Sequence, residues 1–219
     1  MLMYYESRAQ AGAKLAAELI NIYRWKDTAV VALDQGGVAI GYQIAIYLHS
    51  ILRQLITETV RIEDEDIDYA TVLPGGVVAM NPGLSESEQQ YYYSEYMGQL
   101  EEELRTASSR VDRNLGADMI SPENMRGRNV ILVSDGLKSP AELDAALVWL
   151  KPARTERLIF ACPIVSVEAL DRAHILVDEL HILRVTPNFI STGHYYDEDD
   201  VPNEKMARKM IDATILNWK

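Results

Sequence analysis

Two short apolar runs, each passing directly into a polar, glycine-containing turn and then into a helical pattern, limit this chain most. Ala29-Val30-Val31-Ala32-Leu33 leads into Asp34-Gln35-Gly36-Gly37 and a helix expected over about 38–52. Asn129-Val130-Ile131-Leu132-Val133 leads into Ser134-Asp135-Gly136-Leu137-Lys138 and a helix expected over about 139–150. Continuous apolar runs of this length predict strands covered on both faces, as in a parallel sheet, and the strand, glycine turn, helix order is the opening half of a βαβ unit.

The rest of the chain extends that pattern. A first helix is expected over 7–23, with Ala11, Leu15, Leu19 and Ile22 on one apolar face. A second strand is expected over 56–62, and Pro74-Gly75-Gly76 between β-rich segments predicts a hairpin on the sheet edge. Ser85 and Glu88 form a capping box that opens a long helix over about 85–111, whose Tyr91, Tyr92, Tyr93 and Tyr96 read as core or interface residues. Strands near 158–162 and 180–185, a short helix at 167–173 and a closing helix at 202–217 complete the alternation. The expected fold is α/β: a doubly wound, mainly parallel sheet flanked by helices, in one domain over 1–219, with a hairpin and long-helix insertion at about 63–125.

Composition narrows the partners. With 21 basic against 33 acidic residues the net charge is −12, a field that repels nucleic-acid backbones and anionic lipid. Neither is an expected partner. The acidic runs Glu63-Asp64-Glu65-Asp66 and Asp197-Glu198-Asp199-Asp200 read as solvated loops rather than metal sites. No apolar run reaches the ~20 residues a membrane helix needs, and the opening Met1-Leu2-Met3-Tyr4-Tyr5-Glu6 lacks the regions of a signal peptide, so a cytoplasmic location is expected. The single cysteine, Cys162, reads as a buried, inert thiol at a strand end. His49, His174, His181 and His194 lack metal-ligand spacing, and no metal site is expected. The loop His194-Tyr195-Tyr196-Asp197 reads as lid or packing.

In sheets of this kind ligands bind outside the carboxyl ends of the strands, here the loops at 34–37 and 134–139. An apolar strand, an acidic turn and a helix N-terminus together suit a phosphorylated sugar: carboxylates take ribose hydroxyls, while backbone N–H groups and the helix dipole take phosphate. Val130-Ile131-Leu132-Val133-Ser134-Asp135-Gly136-Leu137 resembles the phosphoribosyl pyrophosphate motif of type I phosphoribosyltransferases. The segments Ser7-Arg8-Ala9-Gln10-Ala11-Gly12, Gly36-Gly37-Val38, Ala161-Cys162-Pro163 and Thr186-Pro187-Asn188-Phe189 resemble the family's leading helix, pyrophosphate loop and last strands. The resemblance implies a homodimer and, in an active member, Mg²⁺ carried with phosphoribosyl pyrophosphate, Asp135 as ribose ligand or base, and a base or amine acceptor.

The departures from the family pattern fall on ligand contacts. Ser134 stands where relatives carry the first of two acids. The phosphate turn, in relatives threonine, glycine, any residue, threonine, is Ser139-Pro140-Ala141-Glu142, which removes one backbone donor and brings in an anion. Those same four residues read as a helix start, with serine as cap, proline in the first turn and glutamate three residues after the cap. Asp34-Gln35 stand where a proline and a phosphate-attracting arginine precede the two glycines, so Gly36 and Gly37 need mean no more than a tight turn. Lys138 is expected to face solvent. The expected function is a phosphoribosyltransferase-like binding, regulatory or structural module with reduced or absent transfer. The alternatives are an active Mg²⁺-dependent transferase and a cleft that takes an uncharged or cationic ligand on Asp34, Asp135 and Glu142.

Overall fold

A computed structural model describes residues 5–115 and 120–216. The chain divides into two compact units: Met1–Gln54 with Met125–Pro140 and Ala153–Lys219, and Leu55–Asn124 with Ala141–Pro152.

The first unit is built on a five-stranded parallel sheet of β1 (Thr28–Ala32), β2 (Ile51–Gln54), β6 (Asn129–Val133), β7 (Arg157–Ser166) and β8 (Glu179–Thr186), in the order β2-β1-β6-β7-β8. The expected parallel, doubly wound sheet is therefore present. All residues of β1 and β6 are buried, as their unbroken apolar runs require. Helices α1 (Arg8–Tyr23) and α2 (Gln35–Leu48) lay Leu15, Leu19, Tyr23, Val38, Ile44 and Leu48 against Val30, Ala32, Ile131, Val133 and Ile159 of the sheet. Each such leucine, removed wholly from water, contributes about 1.5–3 kcal/mol. Ile22, expected on the α1 apolar face, is exposed, and the adjacent Tyr23 is buried in its place. Helices α5 (Val167–Leu176) and α6 (Glu204–Leu216) belong to the same unit.

The second unit holds a separate three-stranded antiparallel sheet, β3 (Glu58–Ile62), β4 (Ile67–Leu73) and β5 (Val77–Met80), with α3 (Glu86–Leu115) and α4 (Ala141–Leu150). The Pro74-Gly75-Gly76 hairpin forms as expected, Gly75 and Gly76 both having positive φ. It pairs with β3 in a sheet of its own rather than extending the edge of the parallel sheet. Helix α3 opens on the expected capping box: Ser85 N–H donates to Glu88 Oε2 at 2.8 Å and Glu88 N–H to Ser85 Oγ at 3.3 Å. The helix breaks locally at Tyr96, whose φ and ψ are −114° and 21°. Of its tyrosines, Tyr91 and Tyr93 are exposed and Tyr92 and Tyr96 half-buried, so none is fully buried in a core.

Two boundaries depart from the expectation in an informative way. Helix α2 ends at Leu48, because His49 turns left-handed (φ 54°) and its N–H bonds back to Ala45 and Ile46. Residues 51 and 52, expected as the end of that helix, thus fall with Arg53 and Gln54 in β2, while the strand expected over 56–62 corresponds to β3 of the other sheet. Strand β7 continues past Cys162 and through Pro163 to Ser166, so the cysteine lies mid-strand, fully buried, with burial pushing its thiol well above the ordinary range. Among the described residues no helix is long and apolar enough to cross a membrane.

Candidate functional site

In the strand order β2-β1-β6-β7-β8 the chain winds outward in opposite directions from β1 and β6, so the crevice at their carboxyl ends is the topological switch point where such sheets take ligands. Asp34 and Asp135 stand at those two strand ends. Leu33 N–H donates to Val133 O at 2.8 Å and ties the loops together.

Asp34 is the N-cap of α2, its Oδ1 accepting from Gly37 N–H at 2.5 Å. A carboxylate of the chain therefore sits where a pyrophosphate would use the helix N-terminus. The helix begins at Gln35, not at Val38, so Gly36 and Gly37 are its first turn rather than a tight turn before it. Their size matters because of what presses on them: a Cβ on Gly36 would lie 2.0 Å from Asp135 Oδ2, and one on Gly37 2.8 Å from Val133 O.

Asp135 is 7% exposed and is held from three sides. Arg8 Nε donates to its Oδ2 at 2.6 Å, Gly36 lies against its carboxylate, and the Tyr196 hydroxyl donates to its backbone oxygen at 2.5 Å. Arg8 is itself 3% exposed, with its guanidinium 4.5 Å from the Tyr196 ring centroid and Nη1 3.1 Å from Asp200 Oδ1. Asp200 also accepts from the backbone N–H groups of Arg8 and Ala9 at 3.0 and 3.3 Å, and so fixes the start of α1. Burial opposes the Arg8 charge, but hydrogen bonds to Asp135 and Asp200 outweigh it and hold the guanidinium above its ordinary pKa. Burial first, and then the Asp135 charge, push the Tyr196 phenol far up.

The first two N–H groups after Asp135 are engaged. Gly136 N–H donates to Ser134 Oγ at 3.2 Å. Leu137 N–H donates to Ile164 O and Ser166 N–H to Leu137 O, both at 3.0 Å, so this stretch is zipped onto β7. Ser166 Oγ donates to Lys138 O at 2.7 Å. Leu137 is buried, whereas Lys138, Ser139 and Glu142 are exposed. Pro140 offers no N–H, and Ala141 begins α4.

Sequence reasoning singled out Asp34, Gly36, Gly37, Ser134 and Asp135, and the fold brings these together. It placed neither Arg8 nor Asp200 at the cleft, and it read the loop that carries Tyr196 as lid or packing. Arg8 stands in a helix whose neighbours gave no sign that its charge is buried, and Asp200 belongs to a run read as solvated. Asp199 fits that reading, with its side chain 90% exposed, but Asp200, at 25%, does not.

A parallel sheet with paired strand, loop and helix units around a switch-point cleft defines a doubly wound α/β protein. The sequence model of the phosphoribosyl transferase domain matches residues 3–189, and the chain belongs to that family, in its type I form. It is similar to TT1426 from Thermus thermophilus at 23% identity and a TM-score of 0.72, over 95% of this chain and 98% of that one. It is also similar in fold to a hypoxanthine phosphoribosyltransferase from Staphylococcus aureus, at 12% identity and a TM-score of 0.50, over 96% and 88% of the two chains.

Proposed function

We propose that this protein keeps the phosphoribosyltransferase fold without transferring phosphoribosyl groups, and that it serves as a binding, regulatory or structural module. The observation that carries this reading is the buried contact between Arg8 Nε and Asp135 Oδ2 at 2.6 Å. Ribose hydroxyls would need that carboxylate, and taking it from Arg8 leaves a buried guanidinium with one partner fewer, a change that costs about 3–5 kcal/mol when such a pair is broken. The other contacts point the same way. Asp34 occupies the α2 N-terminus, the N–H groups of Gly136 and Leu137 have internal acceptors, and Ser134 replaces an acid. Mg²⁺ arriving with the substrate would meet two carboxylates with work already to do, Asp34 capping α2 and Asp135 turned to Arg8.

Titration calorimetry with phosphoribosyl pyrophosphate and Mg²⁺ tests this, on the native chain and on a Pro140→Gly/Glu142→Thr variant whose turn matches the family pattern again. The native chain is expected to give no binding heat at millimolar ligand. Binding by the variant alone would support a site closed by its turn, and silence from both would place the block at Arg8 and Asp135. Micromolar binding by the native chain, with pyrophosphate release on adding a base or amine acceptor, would overturn the proposal in favour of an active transferase.

A further inference from the structure

The opposite end of the parallel sheet, where strands begin, carries a surface that the family's chemistry does not use. Trp25, in the turn between α1 and β1, is 86% exposed, the largest exposure among the bulky apolar side chains described. It is not loose. Its ring lies within 15° of parallel to His49 at 6.2 Å, and the Arg24 guanidinium sits 5.2 Å from its centroid and 3.3 Å from His49 Nε2. Neighbouring loops join this shelf through backbone contacts. Asn129 N–H donates to Asp27 O at 3.0 Å, Arg128 Nε reaches Asp27 Oδ1 at 3.2 Å, Gly127 N–H donates to Arg154 O at 3.2 Å, and Glu156 N–H to Arg128 O at 2.8 Å. The turn thereby presents Arg126 and Arg154 as exposed cations, with no carboxylate in ion-pair range among the described residues. Arg154 stands at φ 50°, a left-handed backbone that an arginine adopts at a cost.

We propose that this amino end of the sheet docks a short acidic segment of a partner protein, with Arg126 and Arg154 taking carboxylates and Trp25 as the apolar anchor. Trp and Arg are the residues that dominate binding energy at interfaces, and a ring already held in place loses little freedom on docking. Charge complementarity selects the occupant. Screening confines electrostatics to about 8 Å at physiological ionic strength, so a short acidic segment feels the local arginines. A long polyanion such as nucleic acid also meets the chain's net charge of −12.

Fluorescence anisotropy of a short labelled Asp-Glu peptide, titrated with the full chain at about 0.15 M salt, tests the proposal. Binding is expected, and it should weaken about tenfold or more in Arg126→Glu and in Arg154→Gly, since each loses a charge-assisted hydrogen bond. Arg154→Gly separates recognition from folding: it relieves a left-handed arginine, so its melting temperature should hold or rise while binding falls. Trp25→Ala should weaken binding as well. The proposal is overturned if the peptide does not bind, if both arginine variants bind it as the native chain does, or if a single-stranded oligonucleotide of equal charge binds more tightly. It is likewise overturned if sedimentation shows self-association that Arg126→Glu abolishes, which would make the surface a contact between copies.

Discussion

Gly36 and Asp135 approach so closely that a Cβ on the glycine would fall 2.0 Å from the aspartate Oδ2. Gly36→Ala must therefore move either the start of α2 or the carboxylate that Arg8 holds. Overpacking of this kind costs about 1–3 kcal/mol. Urea denaturation of the variant should show the midpoint falling accordingly, and an unchanged midpoint would mean that the cleft floor yields freely.

Arg8→Met should be among the most damaging single changes. It leaves Asp135 buried without its guanidinium, and Asp200 without a partner from the same side chain. A loss of about 3–5 kcal/mol is expected. The double variant Arg8→Met/Asp135→Asn should recover a good part of it, because the uncompensated charge is gone. A double-mutant cycle in urea measures the coupling, and additive losses would show that the pair does not act as one.

Returning the family's missing acid should harm this chain. Ser134 is fully buried and its Oγ contacts both the N–H and the carbonyl of Gly136. Ser134→Asp would bury a second carboxylate beside the one Arg8 already serves, for a loss of order ~3 kcal/mol. Calorimetric melting would reveal it. A variant as stable as the native chain would indicate that the turn opens to water on its own.

Alkaline pH should weaken the fold through its buried tyrosines. Burial first, then the Cys162 charge, pushes Tyr5 up to about 12, and burial followed by the hydrogen bond to Glu179 pushes Tyr23 up to about 12. An unfolded phenol titrates near ~10. Between about 10 and 12 the unfolded chain binds fewer protons than the folded one, so stability falls as pH rises. Below about 10 both phenols are protonated in either state and contribute fully. Urea midpoints taken from pH about 8 to about 11.5 should bend downward near about 10, and Tyr23→Phe should flatten that bend.

What was legible in the sequence follows from what kind of signal each part emits. Runs such as Asn129–Val133 declare a doubly covered strand by composition, and that element lies where it was expected. Ser85 with Glu88 declares a helix start through local chemistry alone. Strand β2, only Ile51–Gln54, has no such signature: it is short, carries Arg53 and Gln54, and is separated from α2 by two residues that any helical pattern runs across. The ion pair at the cleft was hidden for another reason. Arg8 and Asp135 are 127 residues apart, and periodicity is blind to contacts at that separation. Asp200 looked like its solvated neighbours because composition cannot say which member of an acidic run turns inward.

The strand order has a consequence for how the chain is made. β1 lies between β2 and β6, and its partner residues on β6, Thr28 with Asn129 at the first rung, emerge about a hundred residues later. A nascent chain thus exposes the all-apolar β1 with one neighbour while the whole of β3, β4, β5 and α3 is synthesised. At ~5–20 residues per second that interval lasts on the order of 5–20 seconds. The hairpin and long helix, whose contacts are local, are positioned to fold within it. The parallel sheet must wait for its central strand, and during that wait the apolar β1 lacks one of its two neighbours.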